Sequence, residues 1–172
     1  MRETLIRLRE AMAARGADLV LVPSADFHGS EYIGEYFKSR AWLSGFTGSA
    51  GTLVVGRDQA GLWTDGRYFI QAERQLSGSG IDLYRMGQEG VISVEQFIAR
   101  QLPQGGSLFF DGRTISAFQA EALRQLIADK NGRLVSDQDP AGWIWQDRPP
   151  LPCGKAMLLK EEYSGESTDN KL

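Results

Sequence analysis

Apolar residues at the start of the chain recur at the spacing of one helix face. Met1, Leu5, Leu8 and Met12 are separated by four, three and four positions, and charged residues fill most of the positions between them. Gly16 follows as a natural helix end, since glycine readily adopts the left-handed conformation that closes many helices. The pattern predicts a first helix with one buried face.

Short apolar runs along the rest of the chain predict strands. The run Ala17–Val22 closes at Pro23 and is typical of a buried strand. Gly56-Arg57-Asp58-Gln59 has the composition of a hairpin turn and separates two such runs. The further predicted strands lie at residues 52–55, 61–64, 81–86, 107–110 and 133–135.

Two helices are predicted from their start signals. Ser93 and Ser116 are each followed three positions later by Gln, the arrangement of a capping box in which side chain and backbone groups bond reciprocally. The second of these helices is expected to bury Phe118 on its apolar face and to end at Gly132.

Three further helices are predicted from the spacing of apolar residues and from the residues that start or end helices. Ser30 is expected to cap a short helix that carries the apolar residues of 32–37. Another helix spans about Tyr68 to Leu76. A terminal helix begins at Asp139-Pro140 and bears Trp143 and Trp145. Because those two Trp are two positions apart on a helix, one is expected to meet another domain or subunit.

The alternation of strands and helices predicts an α/β fold, with a mixed sheet of about six strands flanked by helices. No internal repeat is expected. Residues 1–148 are predicted to form one domain, and 149–172 a Pro-rich linker and the truncated start of a second domain, since three of the six Pro lie within 146–152. Ser167 or Thr168 can cap a helix that the chain leaves unfinished.

Composition and charge exclude several classes of function. The net charge is −3 and no basic stripe is present, so no nucleic-acid partner is expected. The charged N-terminus lacks the apolar core of a signal peptide, and no apolar run reaches the ~20 residues that span a bilayer, so no membrane partner is expected. One cysteine, Cys153, permits no intrachain disulfide and suits a cytoplasmic protein.

The chain presents no catalytic centre. It has one His and one Cys and no metal-binding spacing, so no metal and no cofactor are expected here. Ser49 lacks the first Gly of a nucleophile elbow because Thr47 stands in its place. The glycines at 45, 48 and 51 are not followed by the Lys of a phosphate loop and indicate a tight turn.

The segment Asp65-Gly66-Arg67 is the most specific candidate for a functional motif. It joins a predicted strand to a predicted helix, so Asp65 can cap the helix while Gly66 permits the turn. Arg67 can pair with an acid for structural reasons, or reach a substrate carboxylate or peptide carbonyl, across a dimer interface if necessary. His28 can hold its own loop through hydrogen bonds or line a pocket at the end of the first strand.

Three segments carry a family resemblance: residues 30–51 (SEYIGEYFKSRAWLSGFTGSAG), residues 62–72 (LWTDGRYFIQA), and Trp143 with Arg148-Pro149. They resemble the N-terminal domain of Xaa-Pro aminopeptidases (aminopeptidase P) of the cytosolic, three-domain type. The resemblance implies a fold like the creatinase and prolidase N-terminal domains. It also implies a parent enzyme that removes the N-terminal residue preceding proline, with a di-metal centre of manganese, cobalt or zinc held by C-terminal domains.

The resemblance further implies that this domain is non-catalytic and supports oligomerisation and active-site closure in a homodimer. Its partners would then be the C-terminal domains of the parent chain and a peptide with proline in second position. His28, Trp42 and Arg67 are the candidates for the rim of the substrate pocket. The alternatives are the N-terminal domain of a prolidase or creatinase-like hydrolase, or a free-standing dimerisation module.

Overall fold

The computed structural model describes the whole chain, Met1–Leu172, and its centre is a six-stranded sheet. The strands are β1 (Leu19–Pro23), β2 (Thr52–Gly56), β3 (Ala60–Thr64), β4 (Asp82–Arg85), β5 (Ser107–Phe109) and β6 (Arg133–Val135). The helices are α1 (Glu3–Arg15), α2 (Ser39–Ser44), α3 (Phe69–Leu76), α4 (Val94–Gln101), α5 (Ala117–Ile127), α6 (Glu161–Ser164) and α7 (Thr168–Lys171).

The sheet has the order β4-β3-β2-β1-β5-β6 and is mixed. Strand β2 runs antiparallel to β1 and β3, and every other pair of neighbours is parallel. Five strands therefore point the same way, so their carboxyl ends share one edge of the sheet. The predicted hairpin between β2 and β3 and the predicted mixed sheet are confirmed.

Helices cover both faces of the sheet because the strand side chains alternate in direction. In β1, Val20 and Val22 join a core cluster with residues of α1, α2 and α3. Leu19 and Leu21 join the opposite cluster, which contains residues of α4 and α5. In α1, the stripe predicted from spacing is buried from Leu5 onward.

The start and end signals of the helices are largely as predicted. Both capping boxes form, at Ser93 and at Ser116. The helix that follows Ser116 passes into a short 3-10 turn, and its left-handed closing residue is Asn131 rather than Gly132. Gly132 has another role, since a Cβ there would collide with the side chain of Ile127. The predicted burial of Phe118 is wrong, because its side chain is exposed in the first turn.

The helix predicted after Ser30 is wrong. The Ser30 hydroxyl instead bonds with the backbone of Tyr32, a local turn that competes with helix formation. Tyr32 is exposed and only Phe37, at the far end of the predicted helix, is buried, so the first part of the segment has no buried face to stabilise a helix. Regular structure begins later, with a 3-10 turn at Glu35–Phe37 followed by α2.

The terminal helix predicted at Asp139-Pro140 is also wrong. Residues 140–144 form turns, and the Trp145 N–H bonds to Ala141 O. Trp145 stacks on Trp42, whereas Trp143 packs edge-on against Phe109. Both Trp therefore have packing partners within this chain, Trp143 remains half-buried, and the expectation that one of them meets another domain or subunit stays a prediction.

The segment after Arg148 differs from the rest of the chain. Residues 149–160 have no regular structure, and α6 and α7 are exposed four-residue helices. Ser167 caps α7 as predicted. The division of the chain at residue 148 stays a prediction. None of the helices combines the length and the apolar character required to cross a membrane.

Candidate functional site

A cleft of about 920 Å³ opens at the edge where the strands β1, β3 and β5 end. Its walls are the loop that follows β1, the turns that follow β3 and β5, and the start of β2. Ligands of α/β folds usually bind at such carboxyl ends, where loops rather than strands meet the solvent. The topology of the sheet therefore explains why residues far apart in sequence meet here.

Asp65 and Arg67 form a compact corner between β3 and α3 on one wall of this cleft. Asp65 Oδ1 accepts hydrogen bonds from the Arg67 backbone N–H (3.0 Å) and from Arg67 Nε (2.9 Å). Arg67 Nη2 donates to Asp65 Oδ2 at 2.8 Å. The predicted role of Asp65 as a cap agrees with this geometry, whereas the role of Gly66 in the turn stays a prediction.

The corner leaves one edge of the Arg67 guanidinium open. Its Nε and Nη2 face Asp65, whereas Nη1 has no protein acceptor, and the side chain is 63% exposed. Hydrogen bonding to the Arg67 guanidinium lowers the pKa of the Asp65 carboxyl, and the same contact raises the pKa of Arg67. Arg67 is thus a fixed cation that presents free N–H donors to the cleft.

His28 lines the cleft on the loop that follows β1. Its backbone N–H donates to Asp26 Oδ1 at 2.9 Å, and its Nδ1 lies 3.7 Å from Asp26 Oδ2. The imidazole is largely exposed, while Asp26 is buried. The hydrogen bonds hold the loop, and the exposed ring faces the solvent, so the geometry suits both interpretations of His28.

A second corner, Asp111-Gly112-Arg113, lines the same cleft and was not predicted. It has the internal geometry of the first corner, with Arg113 N and Nε donating to Asp111 Oδ1 at 3.0 and 2.9 Å. The signal for it is a short repeat, Leu-x-x-Asp-Gly-Arg, at 62–67 and 108–113. This match is a local motif that occurs twice and is not a repeat of a whole structural unit.

The outer edge of Arg113 is occupied by other groups of the chain. Nη1 and Nη2 both donate to Tyr36 Oη at 3.2 Å, and Nη2 also lies 3.1 Å from Asp139 Oδ2. Asp139 Oδ2 also accepts from Arg148, whose side chain is 7% exposed. Arg148 in turn lies over the Tyr36 ring and donates to its carbonyl oxygen. These contacts tie the end of the predicted domain to the segment before α2.

Trp42 does not line this cleft. Its ring stacks on Trp145 with centroids 4.7 Å apart and planes inclined by 9°. The structure therefore brings His28 and Arg67 to one cleft and places Trp42 elsewhere.

The Gly-rich segment 45–51 forms a tight turn, and the buried side chain of Arg40 bonds to its backbone. Arg40 Nη1 donates to Phe46 O at 2.7 Å, and its Nη2 donates to Gly48 O. A side chain at Gly48 would collide with the Phe46 ring, so the close packing requires glycine there. Ser49 Oγ lies 2.8 Å from Tyr68 Oη.

The chain offers no set of side chains that fits a metal centre. No group of three or more His, Cys, Asp or Glu side chains comes together in the structure. The single His lies beside one carboxylate, that of Asp26, and Cys153 is exposed in the segment after Arg148.

A family model for the creatinase/prolidase N-terminal domain matches residues 5–143. Aminopeptidase P2 of Arabidopsis thaliana is 44% identical over 160 residues, which cover 91% of this chain and 22% of that protein. A probable Xaa-Pro aminopeptidase P of Coccidioides posadasii is 40% identical over 172 residues, which cover 99% of this chain and 28% of that protein. The chain thus spans about a quarter of the length of these relatives.

Solved structures show the same fold. The X-prolyl aminopeptidase of Caenorhabditis elegans, described as a cytosolic enzyme with a di-nuclear active site, matches with a TM-score of 0.84 and 32% identity. The match covers 98% of this chain and 29% of that one. The N-terminal domain of the cytoplasmic peptidase PepQ of Mycobacterium tuberculosis matches with a TM-score of 0.57 and 26% identity, covering 83% of this chain and 98% of that one.

Proposed function

The chain belongs to the creatinase/prolidase N-terminal domain family, and we propose that it is the non-catalytic N-terminal domain of a metal-dependent Xaa-Pro aminopeptidase. The observation that carries this proposal is the match of 91–99% of the chain to relatives named aminopeptidase P. The parent enzyme would release the N-terminal residue that precedes proline. This domain would support oligomerisation and close over the active site.

Arg67 is the residue of this domain proposed to meet the substrate. Asp65 contacts the guanidinium on its inner edge, so the open donors have a favoured direction and the entropic cost of ordering them at binding is reduced. A carboxylate or a peptide carbonyl is the acceptor that matches those donors. His28, on the facing loop, is the second proposed contact. The rim role of Trp42 stays a prediction and would use the ring face turned away from Trp145.

The metal chemistry is proposed to lie in the remainder of the parent protein. The side chains of this domain do not fit a di-metal centre, whereas the C. elegans relative is described with one. We propose C-terminal domains of the parent and a second subunit as the partners of this chain, and a cytosolic location. These proposals rest on the relatives, of which the chain covers only a part.

Peptidase assays can test the function directly. Peptides of the form Xaa-Pro-Xaa, Xaa-Pro and Xaa-Ala-Xaa are offered to the chain alone and to the full-length parent, with added manganese. We expect cleavage of the first peptide by the parent only. Preference for the Xaa-Pro dipeptide would indicate a prolidase, and cleavage by the chain alone at an enzyme-like rate would overturn the non-catalytic role.

The Arg67 contact has its own test in the parent enzyme. Arg67→Ala should lower kcat/KM by about tenfold or more, because a charge-assisted hydrogen bond contributes about 1.5–3 kcal/mol. Arg57→Ala, an exposed arginine paired with Asp18, is the matched control and should leave kcat/KM unchanged. Equal effects of the two variants would remove Arg67 from the substrate site.

A further inference from the structure

Arg40 is a buried charge without a counter-charge. The residue is 3% exposed, and it forms no salt bridge with any acid. Arg148, the other arginine with a nearly buried side chain, pairs with Asp139. Because a buried charge normally requires a partner of opposite sign, Arg40 is the exception in this chain.

The acceptors that Arg40 does contact are neutral and do not exhaust its donors. They are the hydroxyl of Ser24 and the carbonyl oxygens of Phe46 and Gly48. A guanidinium carries five N–H groups, so two remain after these three bonds. Burial lowers the pKa of Arg40 to about 10, which agrees with a charge that its surroundings do not compensate.

A cavity of about 350 Å³ lies beside Arg40, between α2 and the Gly-rich segment 45–51. Lys38 lines it as a second cation, and its ammonium also pairs with Glu35 outside the lining. Thr47 lines it too, and its hydroxyl accepts hydrogen bonds from Gln71 and Gln75, so its own proton is free to donate. Glu31 is the single acid in the lining, and it makes no salt bridge with Arg40.

We propose that this cavity binds a small carboxylate, either a free organic acid or the C-terminal carboxylate of a short peptide. A carboxylate supplies the negative charge that Arg40 lacks and accepts from the unused donors of Arg40, Lys38 and Thr47. The volume falls in the range of small-molecule sites. This site is independent of the open edge of Arg67 and goes beyond the function proposed above.

The test is a titration of the ¹⁵N-labelled chain at constant ionic strength. Sodium acetate and N-acetylglycine represent the two sources of a carboxylate, and N-acetylglycinamide and sodium chloride are the controls. We expect saturable shifts of the backbone amides of Thr47, Gly48 and Ser49 with the carboxylates and none with the controls. Saturable shifts with acetate but not with N-acetylglycine would assign the site to free organic acids. Saturable shifts with both ligands would assign it to any accessible carboxylate, including a peptide C-terminus.

Variants separate binding from the structural role of Arg40. Ala41→Leu fills the cavity from α2 without touching a donor and should abolish the shifts while the fold persists. Lys38→Gln should weaken binding by about tenfold. Arg67→Ala should leave it unchanged. Equal shifts with N-acetylglycinamide, or full binding in Ala41→Leu, would overturn the site and leave Arg40 only as the support of the turn.

Discussion

The two Asp-Gly-Arg corners begin from the same sequence and end in different surroundings. Each follows a strand that ends at the cleft, and in each the arginine donates its backbone N–H and its Nε to one carboxylate oxygen. Around Arg113, the outer edge of the guanidinium is filled by Tyr36 and Asp139. Around Arg67, the outer edge has no partner.

The two corners show that the Asp-Gly-Arg motif sets the local geometry, whereas the groups around it determine its role. The local sequence places a guanidinium at the end of a strand in both cases. At Arg113 the chain supplies its own acceptors, so the arginine ties the segment around Asp139 to the body of the fold. At Arg67 the acceptor has to come from outside. We call the corner at Arg113 closed and the corner at Arg67 open. The oxygen atoms bound by Arg113 in the closed corner show how Arg67 in the open corner would bind an oxygen atom of a ligand.

The largest effect is expected from Asp139→Ala. The change removes the acid that Arg113 and Arg148 share and leaves the nearly buried Arg148 charge without a partner. We expect a loss of about 3 kcal/mol or more in the free energy of unfolding, measured by urea denaturation. For comparison, Asp65→Ala at the open corner, where no outer acid is present, should cost about 1 kcal/mol, as for a lost helix cap. Equal losses would contradict the division into closed and open corners.

A smaller effect is expected when the arginines themselves are removed. Arg113→Ala should lower the free energy of unfolding by about 2 kcal/mol, because it deletes bonds to Asp111, Tyr36 and Asp139. Arg67→Ala should leave it almost unchanged, as for an exposed ion pair. Arg113→Lys keeps the positive charge but loses the bidentate hydrogen bonding of the guanidinium. Its loss in the free energy of unfolding should lie between those of Arg67→Ala and Arg113→Ala. A loss at Arg67 as large as that at Arg113 would show that the open corner is structural.

The smallest effect concerns the pH dependence of the open corner. The Arg67 guanidinium lowers the pKa of Asp65 in the folded chain, so the stabilisation is present above the unfolded pKa of about 3.9 and is lost as the pH falls through the lower folded value. Because both groups are well exposed, the advantage of the wild type over Asp65→Asn should be under about 1 kcal/mol at pH 7. It should vanish at lower pH. A carboxyl titration of Asp65 by NMR at or above the ordinary pKa would contradict the assignment.

Local sequence predicted the fold well where two signals agreed. In α4 and α5, apolar spacing and a capping box coincide, and both helices start at the predicted residues. After Ser30 the apolar spacing had no second signal to support it, and of its apolar residues only Phe37 is buried, so no helix formed before the 3-10 turn. After Asp139 the Trp side chains found separate partners, Trp42 and Phe109, which a continuing helix could not have reached together.

The site was predictable only in part. Arg67 and Asp65 could be identified because a strand, a turn glycine and a helix lie together in the sequence around them. Arg113 could have been found from the repeated Asp-Gly-Arg, but its partners Tyr36 and Asp139 lie 77 and 26 positions away. Trp42 is a rim candidate by resemblance alone; its ring stacks on Trp145 and does not line the cleft, so its role stays a prediction.

The sequence by itself determined the α/β fold, the capped helices, the hairpin and the presence of the two corners, because these depend on residues within a few positions of one another. It also showed that the chain has only one His and one Cys to offer a metal. Only the tertiary structure decided that one corner is closed and the other open, and that Arg40 is buried without an acid. Those outcomes depend on which distant groups the sheet topology brings within hydrogen-bonding distance. The hydrophobic pattern of the sequence does not specify these long-range contacts.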